Sequence, residues 1–268
     1  MNKLIAAVGF LILALGIFAA GCGGLKDNST NAAYKAVVKD ELVVVTEATF
    51  APFEFYGKDP ETVIGFDADL IQAIAREIGY KKCTIKHIDF NSLIPAVNSG
   101  NADVVIAGMS ITEERKRVVL FSQPYYKSGL AFIVRKEDAG IKAFSDLQGK
   151  TVVAQDYTTG AEYAATLKEK GTVVKTFENM DEVFATLKKK ESDAVVCDLP
   201  VLQYFLKNGG SEYARLAGET LNAEEYGIAV SKKKPEMEKA VNQALDALKK
   251  NGTYAKLYEK WFGKEVAQ

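Results

Sequence analysis

The amino-acid sequence predicts an α/β protein with two lobes, each a mostly parallel sheet flanked by helices. From residue 41 onward, short apolar strands alternate with helices whose apolar residues recur at helical spacing, a pattern typical of βα units. A helix, a polar turn, an aspartate and a buried strand follow one another in both 90–108 and 180–198. This partial repeat fits two lobes of similar topology, with a ligand site expected in the cleft between them.

The first lobe is predicted from strands and helices that alternate without a break. In chain order they are a strand at 42–46, a helix at 66–78, a strand at 84–89, a helix that begins at Asn91 or Ser92, and a buried strand at 102–108. This order favours parallel strands joined by helical crossovers.

A second series of the same kind predicts the second lobe. The run GLAFIVRK at 129–136 carries the chain away from the first sheet, and strands and helices then alternate from 151 to 207. The chain returns through a strand at 225–233 and ends in two amphipathic helices. The predicted boundaries are 41–126 plus 225–268 for lobe 1, 129–221 for lobe 2, and 125–129 and 222–226 for the two hinge crossings.

Residues 1–21 predict an export signal, and Cys22 predicts a lipidation site. An uncharged apolar run ends in AAGC, which resembles a bacterial lipobox, where the signal is removed and the new N-terminal cysteine is acylated. Ala19 departs from the leucine that the lipobox prefers, and an uncleaved membrane anchor is the alternative. In both cases the body lies outside the cytoplasm, anchored to the bacterial membrane at the cell surface or in the periplasm, with 22–40 as a flexible tether.

The composition excludes several classes of function. The 34 Lys and Arg balance the 35 Asp and Glu, and no basic run is interleaved with aromatics, so nucleic acid is not an expected partner. The single histidine, His87, is predicted to be a strand residue. One histidine is too few for a zinc site with several imidazoles, and none remains for Ser-His-Asp catalysis elsewhere in the chain. Cys83 and Cys197 have no metal-ligand spacing and are expected to be free thiols. No catalytic residue, metal or cofactor is predicted.

Candidate ligand-binding residues, most of them polar, follow four predicted strands. They lie at the carboxyl ends, where open α/β sheets bind ligands. They are Glu47 and Phe50, then Gly108, Ser110 and Arg115, then Asp156, Thr159 and Gly160, and finally Asp198. An arginine fork, hydroxyls and helix N–H groups can hold a carboxylate, and an aspartate can hold an ammonium. This mixture predicts a zwitterion site, with Phe50 and Phe90 as candidate walls around an aliphatic stem.

Each of these residues also has an ordinary structural interpretation. Arg115 would be solvated on a short surface helix that Ser110 and Thr112 cap. Both phenylalanines would be core residues, and Asp198 would be the N-cap of the helix that begins at Leu-Pro.

Specific motifs cover nearly all of residues 41–263 in a fixed order. They are VVTEATFAPFEF, GFDADLIQAIA, DFNSLIPAVNSGNAD, AGMSITEERKRVVLFSQPYYKSG, DAVVCDLP and KNGTYAKLYEKWFG. Together they resemble the polar-amino-acid-binding proteins of bacterial ABC importers (solute-binding protein family 3), with glutamine-binding and lysine/arginine/ornithine-binding proteins as the nearest types. The resemblance implies the two-lobed periplasmic-binding-protein fold of type II in a monomer. The lobes would close on a free amino acid, and the protein would deliver it to the permease subunits in the membrane.

The same resemblance implies a role for each strand-end residue. The α-carboxylate would bind Arg115, the backbone and hydroxyl groups of Gly108 and Ser110, and Thr159 with Gly160. Asp198 would bind the α-ammonium, and Phe50 and Phe90 would form aromatic walls. Glu47 stands where the family often has an aspartate that reads the ligand side chain.

Two positions depart from the glutamine-binding pattern and indicate the ligand. Asp156 replaces a lysine, and Cys197 replaces a histidine. With Glu47 retained, the first exchange makes the distal part of the site negative, so arginine is expected, and after it lysine or ornithine. In the alternative, Asp156 faces solvent and the ligand is glutamine.

Two further functions remain as alternatives. Similar sequences include dehydratases that use a site carboxylate as general acid, a role open to Glu47 or Asp156, although the intact clamp of Arg115 and Asp198 argues for binding alone. A receptor ectodomain would need a further transmembrane segment, which the sequence up to Gln268 is not expected to supply.

Overall fold

The computed structural model describes residues 34–264, which form two five-stranded sheets and a three-stranded sheet. The strands are β1 (Glu41–Thr46), β2 (Thr49–Phe50), β3 (Glu54–Tyr56), β4 (Val63–Ile64), β5 (Lys82–His87), β6 (Val104–Val105), β7 (Val119–Phe121), β8 (Tyr126–Arg135), β9 (Thr151–Gln155), β10 (Val173–Phe177), β11 (Ala194–Asp198), β12 (Ala214–Tyr226) and β13 (Ala229–Ser231). The α-helices are α1 (Phe66–Ile78), α2 (Phe90–Ser99), α3 (Glu113–Lys116), α4 (Thr159–Thr166), α5 (Met180–Lys188), α6 (Leu199–Lys207), α7 (Pro235–Lys250) and α8 (Thr253–Phe262).

The first large sheet has the strand order β5-β1-β6-β13-β7, and β1 pairs in parallel with both β5 and β6. Successive residues of each strand face opposite sides of the sheet, and buried residues on both sides pack against helices. One face packs against α1 and α7 through Leu70, Ile74 and Leu245, and the other packs against α2 through Leu93 and Val97. This sheet, its helices and the small sheet β2-β3-β4 are called lobe 1 below.

The second large sheet has the strand order β10-β9-β11-β8-β12. β9 pairs in parallel with β10 and β11, whereas β8 runs antiparallel to β11 and β12. Phe132 packs with Ala164 of α4 on one face, and Val195 packs with Val183 of α5 and Leu202 of α6 on the other. This sheet and its helices are called lobe 2.

Two strands carry the chain between the lobes. β8 leaves lobe 1 and β12 returns to it, and they pair along their length, with Ser128 opposite Glu224 and Tyr126 opposite Tyr226. The backbones approach so closely that a Cβ on Gly129 would lie 2.4 Å from the carbonyl oxygen of Asn222. The predicted crossings 125–129 and 222–226 therefore lie side by side in one antiparallel pair.

The predicted α/β class is confirmed, and several predicted bounds are wrong in detail. The strand predicted at 84–89 is Lys82–His87, and the helix predicted to begin at Asn91 or Ser92 begins at Phe90. The segment 225–233 is two strands in different sheets, because β12 ends at Tyr226 and β13 begins at Ala229. Gly227 lies at this change of sheet, where an added Cβ would meet the Ile111 side chain at 2.8 Å. The strand predicted at 102–108 is only Val104–Val105, and the buried residues that follow it form an irregular segment beside the interlobe cleft.

The N-terminal predictions fall mostly outside the described residues, since the signal at 1–21 and Cys22 precede residue 34. Of the predicted tether, 34–37 form a helical turn whose Tyr34 and Val37 are buried against lobe 1, and Tyr80 donates a hydrogen bond to the Val37 carbonyl at 2.8 Å. Within residues 34–264, no helix has both the length and the apolar character needed to cross a bilayer. Cys83 and Cys197 are free thiols, as predicted.

Candidate functional site

A narrow cavity lies between the two lobes. Residues from both lobes line it: Glu47, Phe50, Glu54, Phe90, Ala107, Gly108, Ser110 and Arg115 from lobe 1, and Gln155, Thr158, Thr159 and Asp198 from lobe 2. Most of the polar members lie at or beyond the ends of β1, β6, β9 and β11, and Glu54 is the first residue of β3. The carboxyl-end rule for α/β sheets thus locates the cavity correctly.

Arg115 is buried at the cavity rather than solvated on a surface helix. Thr112 caps the short helix α3 by accepting a hydrogen bond from the Arg115 backbone N–H. The guanidinium donates to the carbonyl of Ser110 at 2.8 Å and to that of Tyr157, in lobe 2, at 2.9 Å, and it lies 5.3 Å from the centre of the Phe90 ring. Burial lowers the pKa of Arg115, but a guanidinium starts so high that it stays charged. The side chain therefore brings a fixed positive charge to the cavity.

Asp198 is the last residue of β11 and presents a buried carboxylate. Its Oδ1 accepts hydrogen bonds from Ser128 Oγ at 2.9 Å and Tyr226 Oη at 2.6 Å. Although Asp198 occupies the N-cap position of α6, its side chain makes no capping hydrogen bond. Burial raises its pKa to about 7, and the nearby charge of Glu224 adds to that rise. The carboxylate is therefore available to an external cation.

Glu47 and Glu54 are two further acids of the cavity wall. Glu47 accepts hydrogen bonds from Thr49 Oγ1 at 2.9 and 3.0 Å and from Gln155 Nε2, in lobe 2, at 2.9 Å. Burial raises the pKa of Glu47 to about 7. Glu54 is 1% exposed, and its carboxyl lies against the carboxyl of Asp67, with which it can share a proton in a hydrogen bond. Burial, and after it the charge of Asp67, raises the pKa of Glu54 well above its usual range.

The position of Phe50, one of the two predicted aromatic walls, depends on a glycine. Gly108 has φ +49°, and a Cβ there would lie 2.7 Å from the Phe50 ring, so only glycine lets Phe50 reach this position. The Gly108 N–H donates to Asp67 Oδ2 at 2.9 Å, which leaves it unavailable to a ligand. Phe90, the other predicted wall, begins α2, and its ring lies 5.3 Å from the Arg115 guanidinium.

Thr159 and Gly160 begin α4, where backbone N–H groups have no partner inside the helix. Thr158 caps this helix by accepting a hydrogen bond from the Ala161 N–H at 3.2 Å. Thr159 lines the cavity, whereas Gly160 does not: it is buried against the β11 backbone. A role of Gly160 in holding an anion would therefore involve its backbone N–H.

Asp156 does not line the cavity, and the specificity argument that depended on it fails. The apolar run TVVA predicts a strand at 151–154, but β9 extends one residue further, to Gln155. Successive residues of a strand face opposite sides. Gln155 is buried in the cavity wall and donates to both Glu47 and the carbonyl of Glu178. Asp156 uses its backbone N–H to pair with Phe177 and has no place among the cavity residues.

The sequence reasoning missed two polar cavity residues, Glu54 and Gln155, and it gave no role to Thr158, which follows the third strand. Glu54 had a signal, because it is a single acid among aromatics in FAPFEFYG. Gln155 directly follows the apolar run TVVA and would have been recognised if the strand had been extended by one residue. Thr158 is a helix N-cap, for which the local sequence gives an ordinary structural explanation.

Two lobes joined by two strands, with a polar cavity between them, define a binding protein of the periplasmic type. A model of the bacterial extracellular solute-binding proteins, family 3, matches residues 42–264, and the chain belongs to that family.

Similar proteins include an arginine-binding periplasmic protein of Mannheimia haemolytica, 35% identical over 82% of this chain and 91% of the relative. A glutamine-binding protein of an ABC transporter of Bacillus subtilis is 31% identical over 99% of this chain and 100% of the relative. Among solved structures, an ancestral arginine-binding protein bound to arginine has a TM-score of 0.81 and 45% identity, over 84% of this chain and 99% of that one. An ancestral arginine-binding protein bound to glutamine has a TM-score of 0.80 and 45% identity, over 84% of this chain and 99% of that one.

Proposed function

We propose that this protein is the substrate-binding component of an ABC amino-acid importer and that it captures a polar L-amino acid, with arginine first and lysine or ornithine next. The observation that carries this proposal is the charge of the cavity, in which one buried arginine faces three buried acids, Glu47, Glu54 and Asp198. A neutral zwitterion would leave an excess of acid, whereas a zwitterion with a cationic side chain offsets it.

The proposed ligand lies with its two ends in different surroundings. Its α-carboxylate faces Arg115 and the first N–H groups of α4, and its α-ammonium faces Asp198. The side chain extends between Phe50 and Phe90 toward Glu47 and Gln155, where a guanidinium finds a carboxylate and an amide. The argument for a cation now depends on Glu47, and Asp156 has no part in it.

Lobe closure follows from the same geometry. Arg115 to Tyr157, Gln155 to Glu47, and the Met180 N–H to Thr49 Oγ1 are hydrogen bonds between the lobes, and all three surround or adjoin the cavity. A ligand that contacts both lobes binds the closed form better and so favours closure. We propose that 125–129 and 222–226 form the hinge, which predicts that arginine reduces the radius of gyration measured by small-angle X-ray scattering.

The relatives support an amino-acid ligand and keep glutamine as the alternative, because their names include both arginine and glutamine. A thermal-shift panel of arginine, lysine, ornithine, histidine and glutamine tests the proposal, since a ligand raises the melting temperature by mass action. Arginine is expected to give the largest shift. A larger shift with glutamine would support the alternative, and no shift with any amino acid would refute the function.

Membrane attachment through a lipid on Cys22 and delivery to permease subunits belong to the same proposal. The support for the lipid is the run ending in AAGC. Mass spectrometry of the mature N-terminus checks it, because an acylated Cys22 is expected and an intact residue 1 would contradict it. A Cys22→Ser variant should appear in the soluble fraction.

A further inference from the structure

Glu224 connects the two lobes behind the cavity. It lies on β12, opposite Ser128 of β8, in the pair of strands that crosses between the lobes. Its Oε2 accepts hydrogen bonds from Ser110 Oγ of lobe 1, at 2.5 Å, and from Thr159 Oγ1 of lobe 2, at 3.0 Å. Both hydroxyls line the cavity, whereas Glu224 does not. One carboxylate oxygen therefore fixes the orientation of a hydroxyl from each lobe.

This orientation decides what the two hydroxyls can offer a ligand. A hydroxyl has a single proton to donate and two lone pairs with which to accept. Because Ser110 and Thr159 direct their protons to a charged acceptor, they present lone pairs to the cavity. Lone pairs accept from an ammonium and repel a carboxylate, so these hydroxyls suit the α-ammonium end of an amino acid. This differs from the sequence-based expectation, which placed them on the α-carboxylate.

The remaining charges agree with that assignment. Asp198 uses only Oδ1 for its bonds to Ser128 and Tyr226, and within residues 34–264 no donor reaches its Oδ2. The charge of Glu224 acts on both Asp198 and Arg115, although no ion pair joins Glu224 to Arg115 among the described residues. Arg115 and the first turn of α4 remain for the carboxylate.

We infer that Glu224 is a positioning residue for the α-ammonium, which turns the hydroxyls of Ser110 and Thr159 into acceptors and adds a second negative charge beside Asp198. The inference rests on the proposed function, because it concerns the ammonium group of an amino-acid ligand. It does not depend on which side chain the ligand carries.

Two truncated ligands separate the two ends of arginine. Agmatine keeps the guanidinium and the amine but lacks the α-carboxylate, and 5-guanidinopentanoate keeps the guanidinium and the carboxylate but lacks the α-ammonium. In Glu224→Ala, affinity for arginine and agmatine should fall about tenfold to a hundredfold, the effect of losing charge-assisted hydrogen bonds. Affinity for 5-guanidinopentanoate should change less than about threefold, because it has no ammonium to lose.

The matched control is Glu225→Ala, which removes the next carboxylate on the same strand, where the side chain is exposed. It should leave all three affinities unchanged. Glu224→Gln keeps the size and a carbonyl acceptor, so it should bind arginine with an affinity between those of the wild type and Glu224→Ala. Thermal unfolding of each variant shows whether the fold is retained.

A loss by the same factor for all three ligands would mean that Glu224 only holds the lobes together, and it would overturn the inference. A loss confined to arginine and 5-guanidinopentanoate would place the hydroxyls on the carboxylate and overturn it as well. A crystal structure with arginine gives an independent decision, since the ammonium nitrogen is expected within hydrogen-bond distance of Ser110 Oγ and Thr159 Oγ1. A wild-type protein that binds no amino acid would refute the proposed function, whereas wild-type binding with a uniform loss in Glu224→Ala would refute only this inference.

Discussion

The two ends of the cavity differ in how their charges are arranged. At the α end, Arg115 and Asp198 place opposite charges on opposite lobes, and each is fixed by hydrogen bonds to its surroundings. At the distal end, Glu47 is a buried acid with a pKa of about 7, and Glu54 is a further carboxyl of the cavity wall whose pKa lies well above its usual range. The α end suits what all amino acids share, and the distal end distinguishes between them.

The largest expected effect comes from breaking the α end. Arg115→Ala removes the cation that faces the ligand carboxylate, so binding of every amino acid should weaken by about 2–5 kcal/mol, the range for a buried charge that loses its partner. Arg115→Lys should recover only part of this, because an ammonium lacks the planar fork. Isothermal titration checks both variants.

Arg117→Ala is the matched control for that experiment, because Arg117 is exposed just after α3. It should bind as the wild type does. An Arg115→Ala protein that folds and still binds arginine with wild-type affinity would remove Arg115 from the site.

A change at the distal end should be smaller and selective. Glu47→Gln removes a buried charge while keeping the shape, so affinity for arginine should fall by about 1.5–3 kcal/mol and affinity for glutamine by much less. Titration of both ligands against the same variant measures the difference. Asp156→Asn is the matched control and should change neither affinity, since Asp156 does not line the cavity. Equal losses for arginine and glutamine in Glu47→Gln would contradict the assignment of the distal end.

The α end could be predicted from the sequence more completely than the distal end, and the reason is geometric. Arg115 and Asp198 follow strands whose ends are visible in the apolar pattern, and the carboxyl-end rule brings such residues together. Gln155 and Asp156 are adjacent, so a one-residue error in the end of β9 exchanged the residue in the cavity for its neighbour. Glu224 was missed because its role depends on the pairing of two crossing strands, which no local pattern reveals.

The pH dependence tests the charges of both ends together. The raised pKa values of Glu47 and Asp198, about 7 in each case, mean that a cationic ligand must displace protons below that pH. Arginine affinity should therefore fall below pH 7, by up to about tenfold per pH unit for each group. Titrations in buffers of different ionisation enthalpy count the protons released.

The same groups should change the stability of the ligand-free protein in the opposite direction. Their pKa values are higher in the folded than in the unfolded chain, so the folded state binds more protons between about pH 4.5 and 7. Their contribution to the free energy of unfolding should decrease as the pH rises through that window. Glu47→Gln should reduce this slope, and an unchanged slope would show that Glu47 does not titrate there.

The most direct test of the central claim is the ratio of arginine to glutamine affinity of the wild-type protein, measured by isothermal titration at pH 8, where Glu47 and Asp198 are mostly ionised. An acidic distal end predicts that arginine binds at least about tenfold more tightly, because its guanidinium offsets a buried negative charge. Equal affinities, or tighter binding of glutamine, would contradict the claim that Glu47 selects a cationic side chain.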